Sequence, residues 1–140
     1  VLTPLVGPPA KGPVLLPQLG VAAQPLRFLD YLIEDPIPGA LLWGDGVLVN
    51  LPRPARFAWH KLLVAAERPV SQQARVTKDR AQAAALLAWL LDERPTAAAD
   101  AAQALVARGP RWRRRVVDQL AHLPDALSDR LALMLQAADQ

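Results

Sequence analysis

A lysine and an aspartate are the residues of this sequence best suited to chemistry. Lys61 lies in 60-HKLLVAAERP-69 and Asp79 lies in 77-TKDRAQAAALL-87, two segments otherwise rich in small apolar residues. A lysine on a helix that is apolar on nearly every side must reach solvent along its stem, pair with a carboxylate, or face a ligand. The spacing leaves three interpretations open: an ion pair between two helices, two surface charges, or a cation that binds an anionic substrate.

The basic segment 108-RGPRWRRR-115 is the second candidate, with five arginines in eight residues. On a helix that begins at Pro110, arginines would occupy the outer face, opposite an apolar stripe that includes Trp112. Guanidinium groups in this arrangement bind phosphates, and such binding depends on salt. The nucleic-acid-binding residues predicted here are Arg108, Arg111, Arg114 and Arg115. The alternative is a solvated basic face on an ordinary helix.

Composition limits the functions available to the chain. Its 140 residues, 52% of them hydrophobic, suffice for one globular domain or a piece of one. The absence of cysteine excludes a disulfide framework and a thiolate metal site, and fits a cytoplasmic protein. The two histidines, His60 and His122, fall in separate predicted segments, so no metal ligands are predicted. The longest nearly apolar run, residues 81–91, is too short to span a bilayer, and no membrane partner is expected.

The pattern of apolar residues predicts an α+β chain that is predominantly helical. Residues 1–25 are predicted to be loop with at most a short strand, and residues 25–35 to be helical with Pro25 in the first turn. A strand is the alternative for the second half of that segment. Two apolar runs around Gly44-Asp45-Gly46 predict a β-hairpin.

The remainder of the chain is predicted to be a bundle of about five helices. Their predicted ranges are 54–68, 77–93, 96–107, 110–122 and 125–138. Thr77 is the expected N-cap of the second helix, which would place Asp79 in its first turn, near the positive end of the helix dipole. The four tryptophans, Trp43, Trp59, Trp89 and Trp112, are predicted to be core residues. The expected organisation is a hairpin-containing part over residues 1–52 and a helical domain over residues 53–140.

Several motifs occur here in a particular order. A strand ending in Leu-Pro leads into Pro-x-x-Phe-Ala-x-His-Lys-Leu within 51-LPRPARFAWHKLLVAAERP-69, and Lys-Asp-x-x-Gln-Ala follows within 77-TKDRAQAAALL-87. The chain thereby resembles the C-terminal portion of bacterial nucleotidyltransferase-fold proteins of the polymerase-β-like superfamily, which include relatives of abortive-infection toxins. The segments 16-LPQLGV-21, 25-PLRFLDYLIEDP-36 and 108-RGPRW-112 also resemble that family, so the likeness covers roughly residues 15–115.

The resemblance implies a reaction and roles for particular residues. Such enzymes transfer a nucleotidyl group from an NTP to a hydroxyl of RNA or protein, with Mg²⁺ held by carboxylates. Lys61 would contact the triphosphate with help from Arg68, and Lys78 and Gln82 would lie near the nucleotide. Asp79 would orient the lysine or assist the acceptor. Lys61 and Asp79 are thus the predicted catalytic residues, whereas the adjacent His60 is expected to be structural.

One part of the superfamily pattern is missing from this chain. Its metal site is a Gly-Ser turn followed by Asp-x-Asp, yet Gly-Ser does not occur here, and Asp45 fits a hairpin turn better. We expect a fragment that is inactive alone, with Mg²⁺ bound by residues of a longer parent protein. The alternatives are a non-enzymatic helical module that binds RNA or a partner protein through Arg108–Arg115, and an inactive homologue retained for partner binding.

Overall fold

The computed structural model describes residues 2–5, 12–42 and 44–139, which form an α+β fold that is mainly helical, as predicted. The strands are β1 (Leu2–Pro4), β2 (Val14–Leu16), β3 (Val21–Leu26), β4 (Ile37–Leu41) and β5 (Val47–Leu51). The helices are α1 (Leu29–Ile33), α2 (Pro54–Glu67), α3 (Gln73–Glu93), α4 (Pro95–Val106), α5 (Pro110–Leu120) and α6 (Asp125–Ala137). All described strands therefore precede residue 52, and the predicted division into two domains remains a prediction.

The N-terminal part contains more sheet than predicted. Strand β3 pairs with β1 in parallel and with β2 in antiparallel orientation, which corrects the prediction of loop with at most one short strand. Pro25 lies in β3 rather than in a first helical turn. Along β3, Ala23 and Pro25 are buried while their neighbours are more exposed, and this period of two is that of a strand. The predicted helix is limited to α1, which follows a left-handed turn at Phe28 with φ of 61°.

The predicted hairpin is confirmed. Strands β4 and β5 are antiparallel, with Ile37 opposite Leu51 and Leu41 opposite Val47. Gly44 and Gly46 in the connection have φ of 59° and 84°, a left-handed conformation that glycine adopts at little steric cost. Trp43 lies outside the described residues, so its predicted place in the core is not tested.

Helix α2 lies at the centre of the helical core, in contact with α1, α3, α4 and α5. Its range agrees with the prediction to within one residue, and its apolar side includes Trp59, Leu62 and Leu63, all fully buried. Apolar side chains from every other helix complete the core. The largest fully buried ones outside α2 are Tyr31, Leu87, Leu105, Val116, Leu131 and Leu135.

Helix α3 begins earlier than predicted. A single 3₁₀ turn at Val70–Gln72 leads directly into the helix at Gln73, and the buried side chain of Val76 gives the first turn an apolar contact. The prediction that Thr77 caps this helix is wrong, since its hydroxyl donates to the Gln73 carbonyl at 3.1 Å, as an interior helical threonine does. Asp79 consequently lies in the second turn, where the helix dipole does not explain it.

Two aromatic side chains attach α4 to the N-terminal segment and to α2. The Tyr31 hydroxyl donates to the Ala101 carbonyl at 2.8 Å, and the Trp59 indole N–H donates to the Ala98 carbonyl at 3.1 Å. Trp112 packs edge-on against Phe28 at the border of the core, with 4.7 Å between ring centroids. The core prediction therefore holds for Trp59 and is wrong for Trp89, which is 49% exposed.

No helix in the described part of the chain is both long and apolar enough to cross a membrane.

Trp59 and Trp89 differ in burial and therefore give a test of the core. Trp59→Phe removes a buried hydrogen bond and leaves a cavity, so we expect it to lower the free energy of unfolding by about 2–4 kcal/mol. Trp89→Phe is the matched control and should change it by less than about 0.5 kcal/mol, because the side chain is half exposed. Urea unfolding followed by circular dichroism measures both, and equal losses would contradict the placement of Trp59.

Candidate functional site

The structure brings Lys61, Arg68 and Asp79 together into one cluster. The Lys61 ammonium donates to Oδ1 of Asp79 at 2.9 Å, and Nε of Arg68 donates to Oδ2 at 2.7 Å. The carboxylate is thus shared between two cations, one on each oxygen. The ion pair between Lys61 and Asp79, one of the three interpretations of these residues, is present, and Arg68 joins it.

Local geometry explains the meeting of these side chains. Lys61 and Arg68 are seven residues apart, which is about two helical turns, so they lie on the same side of α2 and its C-terminal end. The 3₁₀ turn then reverses the chain, and α3 packs along α2 with Asp79 opposite the two cations. Arg68 is further held by a hydrogen bond from Nη1 to the Gln72 side chain at 3.1 Å.

The cluster is a buried anion beneath two partly accessible cations. The Asp79 side chain is 4% exposed, against 21% for Lys61 and 24% for Arg68. Burial is the largest influence on Asp79 and would raise its pKa, but the hydrogen bonds from Lys61 and Arg68 together hold that pKa below its ordinary value. The aspartate is therefore ionised at neutral pH, and the three groups carry one net positive charge.

These cations form part of the wall of a cleft of about 340 Å³, here called the Lys61 cleft. Its lining includes three cationic side chains, Arg27, Lys61 and Arg68, and one carboxylate, Glu67. Arg27 was not predicted, because it lies in the turn after β3, far from the other residues in sequence. Only the pairing of strands and helices brings it close, and no local signal in the sequence could have identified it.

His60 also lines the Lys61 cleft, although most of its side chain is covered. Burial lowers the pKa of His60 to about 4, opposed by a backbone hydrogen bond at Arg27. Its Nε2 is buried and has no hydrogen-bond partner among the described residues. His60 is thus a neutral imidazole at neutral pH.

Lys78 and Gln82 are not brought to the Lys61 cleft. Both are exposed, and neither is among its lining residues. Lys78 immediately precedes Asp79 on α3, so the two side chains project about 100° apart. Their predicted contact with a nucleotide remains a prediction.

The arginines of 108–115 divide between different surroundings. Arg108 donates to Asp30 at 2.7 Å and to Glu34 at 3.0 Å, and Arg115 is ion-paired with Glu67. Arg111 and Arg114 are exposed and form no ion pair with another described residue. The predicted single basic face is therefore partly used in holding the fold together.

Comparison with known proteins identifies a family for this chain. A family model described as "Nucleotidyltransferase" matches residues 1–107, a range that includes the whole Lys61 cluster and all elements through α4. No curated protein and no solved structure matches the chain.

Replacing the Asp79 carboxylate should lower the stability of the fold. Asp79→Asn leaves Lys61 and Arg68 without their anion in a largely covered position, and we expect a loss of about 2–3 kcal/mol in unfolding free energy. Asp92→Asn is the control, because its pair with Arg130 is exposed on both sides and should be worth less than about 1 kcal/mol. Urea unfolding at neutral pH distinguishes them, and a neutral Asp79→Asn would show that the cluster adds nothing to stability.

His60 should make stability depend on pH. Between its ordinary pKa of 6.5 and its folded pKa of about 4, the unfolded chain binds a proton that the folded chain excludes. The unfolding free energy should therefore fall as the pH decreases through this interval, by up to about 3 kcal/mol. Denaturation at pH 7, 6, 5 and 4.5 should give a flatter profile for His60→Gln. The exposed His122→Gln is the control, and an unchanged profile in both variants would contradict the assignment.

Proposed function

The chain belongs to the nucleotidyltransferase family, and we propose that it supplies the cations that bind the triphosphate during transfer of a nucleotidyl group from an NTP to a hydroxyl acceptor. The observation that carries this proposal is the Lys61 cleft, in which three cations from separate parts of the sequence converge. A volume of about 340 Å³ lies within the usual range of small-ligand sites, about 300–1,000 Å³.

The hydrogen bonds of the cluster leave donors available for a ligand. Lys61 has three N–H donors, and its described hydrogen bond to Asp79 uses one of them. Arg68 has five, of which Asp79 and Gln72 accept two. Because both side chains keep about a fifth of their surface exposed, the remaining donors can reach phosphate oxygens in the cleft. This combination of a lysine point charge and a guanidinium suits a polyphosphate.

The geometry supports a positioning role for Asp79. Both of its oxygens are occupied by cations and its pKa is lowered, so it is poorly suited to accept a proton from a hydroxyl acceptor. By fixing Lys61 and Arg68 before a ligand arrives, the carboxylate would reduce the entropy lost on binding. Of the two roles implied by the resemblance, orienting the lysine is the one we propose.

Mg²⁺ is the metal that the resemblance implies, and the residues around the Lys61 cleft do not fit it. The two carboxylates there are Asp79 and Glu67, and both already accept hydrogen bonds from cations. Mg²⁺ demands near-octahedral oxygen ligands, which these occupied groups cannot supply without breaking the pairs. The proposed task of this chain is therefore to neutralise phosphate charge with side-chain cations.

NTP binding by the chain tests the proposal directly. Equilibrium dialysis with each of the four NTPs should detect binding, and Lys61→Ala should weaken it about tenfold or more, equivalent to about 1.4 kcal/mol. Arg94→Ala is the matched control, because that arginine is exposed and lies outside the Lys61 cleft, and it should change affinity less than about twofold.

A purely structural Lys61 predicts a different result. Lys61→Ala would then lower the unfolding free energy while leaving NTP affinity unchanged, so urea unfolding is measured alongside dialysis. The proposal is wrong if the unmodified chain binds none of the NTPs at millimolar concentration. It is also wrong if Lys61→Ala remains folded and binds as tightly as the unmodified chain.

A further inference from the structure

A second cleft lies beside the first and is richer in arginine. It has a volume of about 610 Å³ and is bounded by β1, the turn between β3 and α1, and the beginning of α5. Its lining includes Arg27, Arg108, Arg111 and Arg115, and Asp30 is the single acidic residue among the residues that line it. This space is here called the arginine cleft.

Aromatic rings hold two of these guanidinium groups in place. Arg108 lies over the Trp112 ring at 5.8 Å and Arg115 over the Phe28 ring at 5.8 Å, each measured from the guanidinium carbon to the ring centroid. The two rings contact each other edge-on. These contacts hold the two guanidinium groups in place before any ligand is present, which lowers the entropic cost of binding.

Positive charge exceeds negative charge around the cleft. Two separate groups of ion pairs surround it: Asp30 and Glu34 pair with Arg108, Glu34 also pairs with Arg56, and Glu67 pairs with Arg27 and Arg115. These three carboxylates are therefore shared among four arginines. Arg111 adds a further cation that is exposed and forms no ion pair within the described residues. An anionic ligand would offset this excess.

The arginine cleft adjoins the Lys61 cleft. Arg27 and Phe28 line both, so that one guanidinium and one aromatic ring separate the two spaces. A ligand in the arginine cleft would therefore lie next to one in the Lys61 cleft. An enzyme that joins a nucleotide to an acceptor must bind its two substrates side by side, as these adjoining clefts would allow.

We propose that the arginine cleft binds the phosphodiester backbone of a single-stranded RNA, which is the acceptor of the nucleotidyl group. Planar guanidinium forks match phosphate oxygens in pairs, and four arginines along one cleft suit the successive phosphates of a strand. The naming of the RNA as acceptor rests on the proposed function, whereas its binding to the cleft does not.

Two arginines on α5 give a matched test. Arg111 and Arg114 are both exposed and without ion pairs among the described residues, but only Arg111 lines the arginine cleft. Fluorescence anisotropy with a labelled single-stranded RNA 12-mer is measured over a series of salt concentrations. Arg111→Ala should weaken binding about fivefold or more and reduce the salt slope by about one, and Arg114→Ala should weaken it less than about twofold.

Competition experiments separate the sources of phosphate and the class of partner. Inorganic triphosphate that displaces the RNA at micromolar concentration from the Lys61→Ala variant as well as from the unmodified chain would identify a small-polyphosphate site in the arginine cleft and overturn the proposal. Displacement by poly-glutamate at the same charge concentration would indicate an acidic protein partner and also overturn it. Equal weakening by Arg111→Ala and Arg114→Ala, or no RNA binding at all, would reduce the cleft to part of a diffuse basic surface.

Failure of this inference and failure of the proposed function are distinguishable. Arg111→Ala should retain NTP affinity, and Lys61→Ala should retain RNA affinity, because each variant alters one cleft. RNA binding without NTP binding would reject the proposed function and leave the RNA site. NTP binding that depends on Lys61, without RNA binding that depends on Arg111, would do the reverse.

Discussion

The carboxylate of Asp79 is the group around which α2, α3 and the Lys61 cleft are arranged. An ionised aspartate that is almost fully buried is tolerated only if cations and hydrogen bonds replace the water it has lost. Lys61 and Arg68 meet that requirement, one on each oxygen, and both come from α2 and its end. The same contacts therefore join α2 to α3 and direct two cations toward the Lys61 cleft. The packing of these helices and the arrangement of the cleft both depend on the Asp79 carboxylate.

Different faces of helix α2 contribute to the hydrophobic core and to the Lys61 cleft. Trp59, Leu62 and Leu63 face the interior, whereas His60 and Lys61 line the cleft. Because adjacent residues project about 100° apart, neighbours in sequence can belong to opposite environments. This difference in direction explains how a largely apolar helix can carry Lys61 without leaving that lysine unpaired in the core.

The sequence predicted those features that depend on neighbouring residues. Helical periodicity located α2 and α4–α6, and the glycine-containing turn located the hairpin. Two charges in apolar segments gave the pair of Lys61 with Asp79 as one of three interpretations. Features set by the tertiary structure were missed. Arg27 reaches the cleft through a strand register, Trp89 is exposed because its side of α3 is not covered, and a preceding 3₁₀ turn overrode Thr77 as a helix start.

Glu67 connects the two clefts electrostatically. It is paired with Arg27 at 3.4 Å and also with Arg115. Arg27 lines both clefts and Arg115 lines the arginine cleft, so one carboxylate is the counterion of both arginines. Two anionic ligands side by side would repel each other, and in a partly covered site that repulsion is weakly screened. Arg27, which lies between the two clefts, would reduce this repulsion. When the clefts are empty, Glu67 limits their positive electrostatic potential. If both proposed ligands bind, Arg27 would therefore serve as a cation for each of them.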